Sequence, residues 1–333
     1  MPLVTDKKEV LEIYAEAAQR KWVIPCICGE NLTTVEAILA AVKDYGEKIG
    51  VNNLPITIAI TNCYAHRSQS INYTFTRNWE VGLRLFIEDL KVLTSSYSPY
   101  KDLRVMLHLD HIQHDVDLDL LSWDMKQFSS VMFDASTLSF DQNIEATRKF
   151  VNKQSQNIVI EGACDEIIDS GSGGNELTTP ECAEKYILET GCDFIVANLG
   201  TEHRASASEL KYYGNLARQI KAKIGTRIVL HGASSVGTEQ ITKLFDDGVC
   251  KVNIWTILER DSTTKLFEQM VTNASKIIGT KQVVELQKQG LLGHNVDNSS
   301  EKSIHYYTNL YRQQIIFEEM KRIVTSFLSI WYV

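Results

Sequence analysis

The sequence predicts an α/β protein, a (β/α)8 TIM barrel with additional C-terminal helices. Short β-branched or apolar runs recur along the chain, and each is followed by a longer stretch with helical periodicity, which is typical of parallel α/β folds. Eight such units occupy about 250 residues from Trp22 to Ile278, the count and length of a barrel. The alternative is a doubly wound open sheet, but no G-x-G-x-x-G follows the first strand, which leads into Cys28-Gly29-Glu30-Asn31.

The predicted strands are short and rich in β-branched or apolar residues. In order they are Trp22 to Ile27, Ile56 to Ile60, Arg104 to Leu109, Ser130 to Asp134, Ile158 to Glu161, Phe194 to Ala197, Arg227 to Leu230 and Lys251 to Ile254. The helices predicted after them are Thr33 to Lys48, Trp79 to Leu93, Asp117 to Gln127, Phe140 to Lys153, Pro180 to Thr190, Ala207 to Lys223, Thr238 to Asp246 and Thr256 to Ile278. Thr179-Pro180-Glu181 illustrates the start signals, with a capping hydroxyl, a proline and an acid in the first turn.

Two long insertions, Thr61 to Arg77 and Cys164 to Thr178, follow strands on the side where barrel enzymes carry active-site loops. From Lys281 onward the pattern is helical and outside the eightfold alternation, ending in an aromatic-rich helix from His305 to Val333. We therefore predict a catalytic barrel over residues 1–280 and a helical extension over 281–333. The extension is expected to pack on the barrel or on a partner subunit, in a homodimer or homotetramer.

Composition excludes several classes of protein. The 333 residues are 44% hydrophobic and 23% charged, as in an ordinary globular protein, and the net charge of -8 opposes binding to a nucleic-acid backbone. No apolar run approaches the roughly 20 residues of a membrane span, and the charged N-terminal segment lacks the features of a signal peptide. The seven cysteines include no C-x-x-C pair and are expected to be reduced. A cytoplasmic protein without nucleic-acid or membrane partners is predicted.

Polar side chains gather where the predicted strands end. Strand three runs into Asp110-His111, the loop after strand six contains His203, and strand seven ends at His231. Barrel chemistry occurs at these strand ends, so the three histidines and the carboxylate are expected to converge. Three protein ligands with an open position are typical of catalytic zinc. Any one histidine alone is more simply a structural residue, but their joint placement favours a metal site.

Five motifs around these residues occur in a recognisable order. They are Leu107-His-Leu-Asp-His111, Ser130-Val-Met-Phe-Asp-Ala-Ser136, Gly200-Thr-Glu-His203, Val229-Leu-His-Gly-Ala-Ser234 and Lys251-Val-Asn-Ile-Trp-Thr256. From about residue 1 to 275 the chain resembles the class II, zinc-dependent ketose-bisphosphate aldolases, including fructose- and tagatose-bisphosphate aldolases. The resemblance implies a (β/α)8 barrel, one catalytic Zn2+, and reversible aldol cleavage of a phosphorylated ketose to dihydroxyacetone phosphate and an aldehyde.

The resemblance also assigns roles to individual residues. It implies zinc ligation by His111, His203 and His231, and it implies that Asp110 exchanges a proton with the oxygen of the aldehyde half. The phosphate-binding residues that it implies lie in two turns and are Gly232, Ala233, Ser234, Asn253 and Thr256. The family often holds a monovalent cation, Na+ or K+, beside this phosphate, and nothing in this sequence excludes one.

Departures from the family pattern concentrate around the substrate. Trp255 and Arg204 stand where the family has smaller residues, so they are predicted to influence specificity and to make fructose- and tagatose-bisphosphate poor substrates. Ala163 replaces a glutamate after strand five, and either Glu166 or Glu176 could supply the mobile-loop base of the family.

The predicted function is that of a class II aldolase, a carbon-carbon lyase of carbohydrate metabolism. One alternative is a catalytically silent homologue that binds zinc or sugar phosphate in a regulatory or structural role. Retention of Asp110 favours the enzyme, because a pure binding protein has no need for a proton donor, whereas Ala163 keeps the alternative open. A zinc hydrolase is a weaker option, since the first strand lacks an H-x-H pair.

Overall fold

The computed structural model describes residues 3–165, 177–202 and 212–333. Within these ranges all strands lie in one parallel sheet in the order β1-β4-β3-β2-β9-β8-β7-β6-β5, and β4 also pairs with β5. The strands are β1 (Leu3–Val4), β2 (Ile24–Cys28), β3 (Pro55–Thr61), β4 (Arg104–Gln113), β5 (Ser130–Asp134), β6 (Val159–Ala163), β7 (Phe194–Val196), β8 (Ile228–Leu230) and β9 (Val249–Ile254). Strands β2 to β9 therefore close into an eight-stranded barrel, and the predicted (β/α)8 fold is confirmed.

The helices surround this barrel and continue beyond it at the C-terminus. They are α1 (Lys7–Gln19), α2 (Leu32–Ile49), α3 (Gln69–Asn72), α4 (Trp79–Leu93), α5 (Leu118–Leu121), α6 (Phe140–Gln154), α7 (Pro180–Thr190), α8 (Gly214–Ile224), α9 (Thr238–Ile241), α10 (Thr256–Thr272), α11 (Ala274–Ile278), α12 (Thr280–Lys288), α13 (Ile304–Tyr307) and α14 (Asn309–Trp331). Two 3-10 turns, Met125–Gln127 and Ala233–Ser235, complete the described elements. No helix among the described residues is long and apolar enough to cross a bilayer.

Strand burial explains the apolar runs that predicted the barrel. Every residue of β2, β3 and β5 is buried, because helices cover one face of the closed sheet and barrel side chains fill the other. Strand β1 was not predicted. It pairs with Val105 and Met106 at the start of β4, before the pairing of β4 with β5 begins at His108.

Several predicted helices are shorter than expected. The helix predicted over Asp117 to Gln127 is interrupted, and Asp124 instead accepts a hydrogen bond from the Lys126 backbone N–H at 3.1 Å. Short polar side chains compete for backbone groups in this way and favour turns. The helix after β8 ends at Ile241 rather than Asp246. Of the helix predicted from Ala207, residues 207–211 lie outside the described residues.

The two longest predicted helices are each divided. At Asn273 the side-chain amide donates to the Gln269 carbonyl oxygen at 3.1 Å, where α10 ends and α11 begins. The predicted helix from His305 is broken at Thr308, whose backbone is extended between α13 and α14.

The last helix, α14, packs against α2 and α10 of the barrel wall. Trp331 donates its indole N–H to the Ile241 carbonyl at 3.2 Å, and the Tyr332 carbonyl accepts from the Tyr45 hydroxyl at 3.2 Å. The Tyr332 ring also meets Trp22 edge to face, with centroids 4.9 Å apart. These aromatic residues are buried and anchor the end of the chain beside the barrel.

Candidate active site

Three of the predicted site residues meet at the carboxyl ends of the strands. Asp110 and His111 belong to β4 and His231 follows β8, and one ligand atom of each lies within 4.8 Å of the others. His111 Nε2 lies 3.2 Å from His231 Nδ1, and the three side chains are nearly inaccessible to solvent. The structure therefore brings together two predicted metal ligands and the predicted acid.

A bulge in β4 explains how two adjacent residues serve one site. Successive side chains of a regular strand point to opposite faces, so Asp110 and His111 would ordinarily be separated. Between β4 and β5 the register advances three residues from Leu109 to Ile112 but only two from Val131 to Phe133, which inserts one residue in β4. His111 accordingly has φ of 49°, a left-handed conformation that costs a non-glycine residue free energy and that occurs preferentially at functional sites.

The donor set fits a zinc ion. Two nitrogen ligands of tetrahedral zinc, each about 2.0–2.1 Å from the metal, lie about 3.3 Å apart, close to the separation of the His111 and His231 nitrogens. His111 Nδ1–H donates to Asp134 Oδ2 at 2.9 Å, which leaves Nε2 with the lone pair directed towards His231. A carboxylate behind an imidazole is the usual support of a ligating histidine. The third predicted ligand, His203, lies outside the described residues.

Asp134 is held as a carboxylate by its neighbours. Its Oδ1 accepts from the Ser136 backbone N–H at 3.1 Å and hydroxyl at 2.6 Å, and its Oδ2 accepts from Gln113 as well as His111. Burial alone would raise the pKa of Asp134, but hydrogen bonds from His111 and Ser136 lower it to about 2. Asp134 lies within the motif from Ser130 to Ser136, but the sequence alone indicates no role for it, because sequence does not show which strand-end side chains face each other.

Asp110 is also charged although it is buried. Its Oδ2 accepts from Arg67 Nη2 at 2.8 Å, and its Oδ1 accepts from Asn253 Nδ2 at 3.0 Å. Burial opposes ionisation, yet the charges and hydrogen bonds around this carboxyl, the Arg67 guanidinium among them, hold the pKa of Asp110 well below its usual range. The site therefore holds Asp110 in its charged carboxylate form at neutral pH.

A buried polar network lies beneath Asp110 inside the barrel. Lys251 Nζ donates to both oxygens of Glu161, at 2.6 and 2.8 Å, and to His108 Nε2 at 3.2 Å. Since Lys251 can only donate, His108 carries its proton on Nδ1 and donates to the Ser130 hydroxyl at 2.8 Å. His108 Nε2 is 3.7 Å from Asp110 Oδ1, so this imidazole packs in the barrel and also contacts the site.

The two predicted phosphate turns line one pocket together with Asp110 and His231. Gly232 has φ of 67°, and a Cβ there would approach the Glu202 backbone oxygen to 2.8 Å, so glycine is required. Ala233 and Ser234 belong to the 3-10 turn that follows, while Asn253 is the next-to-last residue of β9 and Thr256 begins α10. The first turn of α10 therefore opens at the same pocket.

Trp255, one of the two predicted specificity residues, lines this pocket and is partly buried, packed against the buried side chains of Cys26, Cys28 and Ala59. Its indole N–H donates to Glu30 Oε1, and its ring lies under the guanidinium of Arg67, with Cζ 4.8 Å from the ring centroid. Arg67 was missed by sequence reasoning, because one arginine in a long loop carries no spacing signal. Ala163 is buried at the end of β6, where its carbonyl accepts from Asn143.

Another cavity, of about 280 Å³, adjoins His111 on its other side. The Tyr64 ring stacks on His111 with centroids 4.3 Å apart and an interplanar angle of 5°, and Tyr64 and His66 both line the cavity. Asp115, beyond the metal-ligand motif, lines the same cavity. The predicted residues Arg204, Glu166 and Glu176 lie outside the described part of the chain.

Comparisons of the whole chain with known proteins agree on the kind of protein that it resembles. A family model described as fructose-bisphosphate aldolase class-II matches residues 8–325. A fructose-bisphosphate aldolase from Treponema pallidum (strain Nichols) is 25% identical over 341 residues, which cover 88% of this chain and 92% of that protein.

Solved structures share the fold. A fructose-bisphosphate aldolase from Campylobacter jejuni aligns with a TM-score of 0.75 at 18% identity, over 99% of this chain and 95% of that one. The YdjI aldolase from Escherichia coli K12 aligns with a TM-score of 0.65 at 16% identity, over 96% and 95% of the two chains.

Proposed function

Since the chain belongs to the class II fructose-bisphosphate aldolase family, we propose that it is a zinc-dependent lyase that cleaves a phosphorylated ketose to dihydroxyacetone phosphate and an aldehyde. The observation that carries this proposal is the ionised, buried carboxylate of Asp110 beside the paired imidazoles of His111 and His231. A protein that only bound zinc or sugar phosphate would have no need for an acid-base group beside the two histidines.

His111 and His231 would hold the zinc ion, with His203 as the third ligand from the loop after β7. Zinc at neutral imidazoles keeps its full positive charge, so it would polarise the ketone carbonyl and stabilise the negative charge that develops on its oxygen during cleavage. Asp134 fixes the His111 ring through the bond to Nδ1 and so presents Nε2 to the metal.

Asp110 would accept a proton during cleavage. The hydroxyl beside the breaking carbon-carbon bond gives its proton to the Asp110 carboxylate and becomes the aldehyde carbonyl, while the electron pair of that bond passes to the ketone half. In the reverse direction, protonated Asp110 returns the proton to the aldehyde oxygen. The carbon of the donor half is protonated by a second group, for which Glu166 and Glu176 are the candidates from the sequence.

The phosphate would bind at the turns after β8 and β9. Trp255 precedes α10 without capping it through its side chain, so the first backbone N–H groups of that 17-residue helix remain available to an anion. Backbone donors from Gly232 to Ser234 face the same pocket, and a monovalent cation could offset the charge of the phosphate. This arrangement lets an acidic protein bind a dianion without a cluster of lysines.

A homodimer or homotetramer is part of the proposal. Its support is the apolar surface left on the C-terminal helices, where Phe267 of α10 and Leu310 of α14 are 70% and 71% exposed. Sedimentation velocity on the purified protein tests it, and a monomer at micromolar concentration contradicts it.

The decisive experiment is an aldol-cleavage assay on a panel of ketose phosphates, with release of dihydroxyacetone phosphate as the readout. Turnover should disappear with a chelator and return with zinc, and Asp110→Asn should lower turnover by about a hundredfold or more while retaining zinc. Fructose 1,6-bisphosphate is expected to be a poor member of the panel. Zinc binding without cleavage of any panel member would favour a silent homologue.

A further inference from the structure

Arg67 reaches the site because its loop turns back over the barrel mouth. The loop follows β3, and the Arg67 backbone N–H donates to the Tyr64 carbonyl at 2.9 Å while its carbonyl accepts from the Thr61 hydroxyl. These bonds direct the side chain inwards, where only 12% of its surface is exposed.

The guanidinium of Arg67 is constrained in two directions. In its own plane, Nη2 donates to Asp110 Oδ2 at 2.8 Å and to Cys28 Sγ at 3.3 Å. In addition, its Cζ lies over the Trp255 ring, 4.8 Å from the ring centroid. Arginine suits this arrangement because its planar group can form directional hydrogen bonds and stack at the same time.

Trp255 is itself fixed by an acid at the edge of the pocket. Glu30 Oε1 accepts from the indole N–H and also from Gln69 Nε2, the latter at 2.7 Å. The chain of contacts thus runs from Gln69 through Glu30 and Trp255 to Arg67, and it ends on Asp110.

Stability alone does not account for the ion pair. Removing two charges from water costs free energy that their attraction seldom exceeds, so a buried pair contributes little to the folding equilibrium. Moreover, Arg67 Nε is buried and finds no acceptor among the described residues. The pair does, however, restrict Asp110, because Arg67 holds Oδ2 while Asn253 holds Oδ1.

We propose that Arg67, supported by the ring of Trp255, is a positioning residue that orients the Asp110 carboxylate for proton transfer. This inference rests on the proposed aldolase function. It gives Trp255 a specific role: the indole supports the arginine that holds the catalytic group. The carboxylate still has lone pairs available for the substrate hydroxyl, since each ionised carboxylate accepts about four hydrogen bonds.

The first test is the kinetics of Arg67→Ala on the substrate that native protein cleaves. Misplacing a reacting group by about 1 Å can cost on the order of a hundredfold in rate, so we expect kcat to fall by about 30- to 100-fold while KM changes less than about threefold. Zinc content should stay at the native value. A rise in KM at constant kcat, or unchanged kinetics, would overturn the proposal.

Chemical rescue distinguishes positioning from general loss of structure. Guanidinium chloride at low, non-denaturing concentration should restore part of the turnover of Arg67→Ala, because the cation can occupy the vacant place on the indole. It should not restore the double variant Arg67→Ala/Trp255→Leu. Rescue that is absent in the single variant, or equal in both variants, contradicts the role assigned to Trp255.

Two further variants sharpen the result. Arg67→Lys supplies a charge without a planar surface, so it should retain less than about a tenth of native turnover, whereas full retention would show that stacking is irrelevant. Arg84→Ala is the matched control, because Arg84 also stacks on a tryptophan, Trp123, at 4.6 Å but is solvent-exposed and lines neither pocket beside His111 and His231. It should show native kinetics and no response to guanidinium.

A crystal structure of Arg67→Ala separates this inference from the proposed function. The Asp110 carboxylate is expected to turn away from its native orientation when Oδ2 loses its donor. If native protein cleaves no ketose phosphate, the proposed function fails, but the structure still decides whether Arg67 orients Asp110. An Asp110 carboxylate in its native orientation would overturn the inference whatever the activity.

Discussion

Replacing Asp134 with asparagine should weaken zinc binding without removing any ligand. Asp134 accepts bonds on both oxygens, from His111 and Gln113 on Oδ2 and from the Ser136 N–H and hydroxyl on Oδ1. An asparagine can accept on only one side, so in either orientation its amide group faces a donor. The variant therefore loses both the negative charge behind His111 and at least one hydrogen bond.

The magnitude follows from these contacts. A hydrogen bond to a charged group contributes about 1.5–3 kcal/mol, and loss of such a partner behind a metal-bound histidine typically lowers metal affinity by about 10- to 100-fold. We expect a reduction of about 30-fold, which corresponds to about 2 kcal/mol. The pKa of Asp134 is lowered to about 2, so the native charge is present throughout the neutral range of the assay.

Competition with a chromophoric chelator measures the zinc dissociation constant. The matched control is Asp247→Asn, because Asp247 is another buried acid with hydrogen-bonding partners, Tyr212 and Arg218, but lies away from the two histidines. Native affinity in Asp134→Asn would refute the reasoning, and so would an equal loss in both variants.

Three other predictions test the site and its surroundings. His231→Ala should reduce zinc occupancy steeply, as measured by elemental analysis, because it removes one of three ligands. Asp110→Asn should lower turnover by about a hundredfold or more with zinc retained, the usual scale for one acid-base group, and an unchanged rate would assign the proton to another residue. Glu259→Gln should stabilise the protein above neutral pH, since burial and the nearby Glu30 raise the pKa of Glu259 from its usual 4.5 to about 7, although Arg67 opposes them. Between pH 4.5 and pH 7 the unfolded chain therefore binds fewer protons than the folded protein, and stability falls as the pH rises. Native Glu259 lowers the free energy of unfolding by at most on the order of 3 kcal/mol at pH 8 but by less than about 1 kcal/mol at pH 5. Equal urea midpoints of the variant and native protein at pH 8 would contradict this prediction.

The fold was predictable because its signal is local and repeated. Alternating apolar strands and periodic helices predicted all eight barrel strands, with ends that differ by a few residues. The helix interruptions at Asn273 and Thr308 were not predicted, because a break within an otherwise periodic segment depends on one side chain or one backbone angle. Strand β1 is only two residues long and has no periodicity to detect.

Part of the site was predictable from topology alone. In a closed parallel barrel all strands end at the same rim, so Asp110, His111 and His231 had to lie near one another once the strands were assigned. Their chemistry then suggested a metal and an acid. The family resemblance added the phosphate turns, which the structure places in one pocket with Asp110 and His231.

By itself the sequence determined the barrel, the end of the barrel at which the strands finish, and the residue types at that end, because these depend on periodicity and on chain order. Only the tertiary structure decided which side chains meet there. The bulge at His111 places the adjacent side chains of Asp110 and His111 in the same site. The loop that carries Arg67 folds back onto Asp110 and Trp255, which are far from it in the sequence, and no local pattern encodes these contacts. Such contacts are made between elements far apart in the chain, so they depend on packing and on where each loop closes.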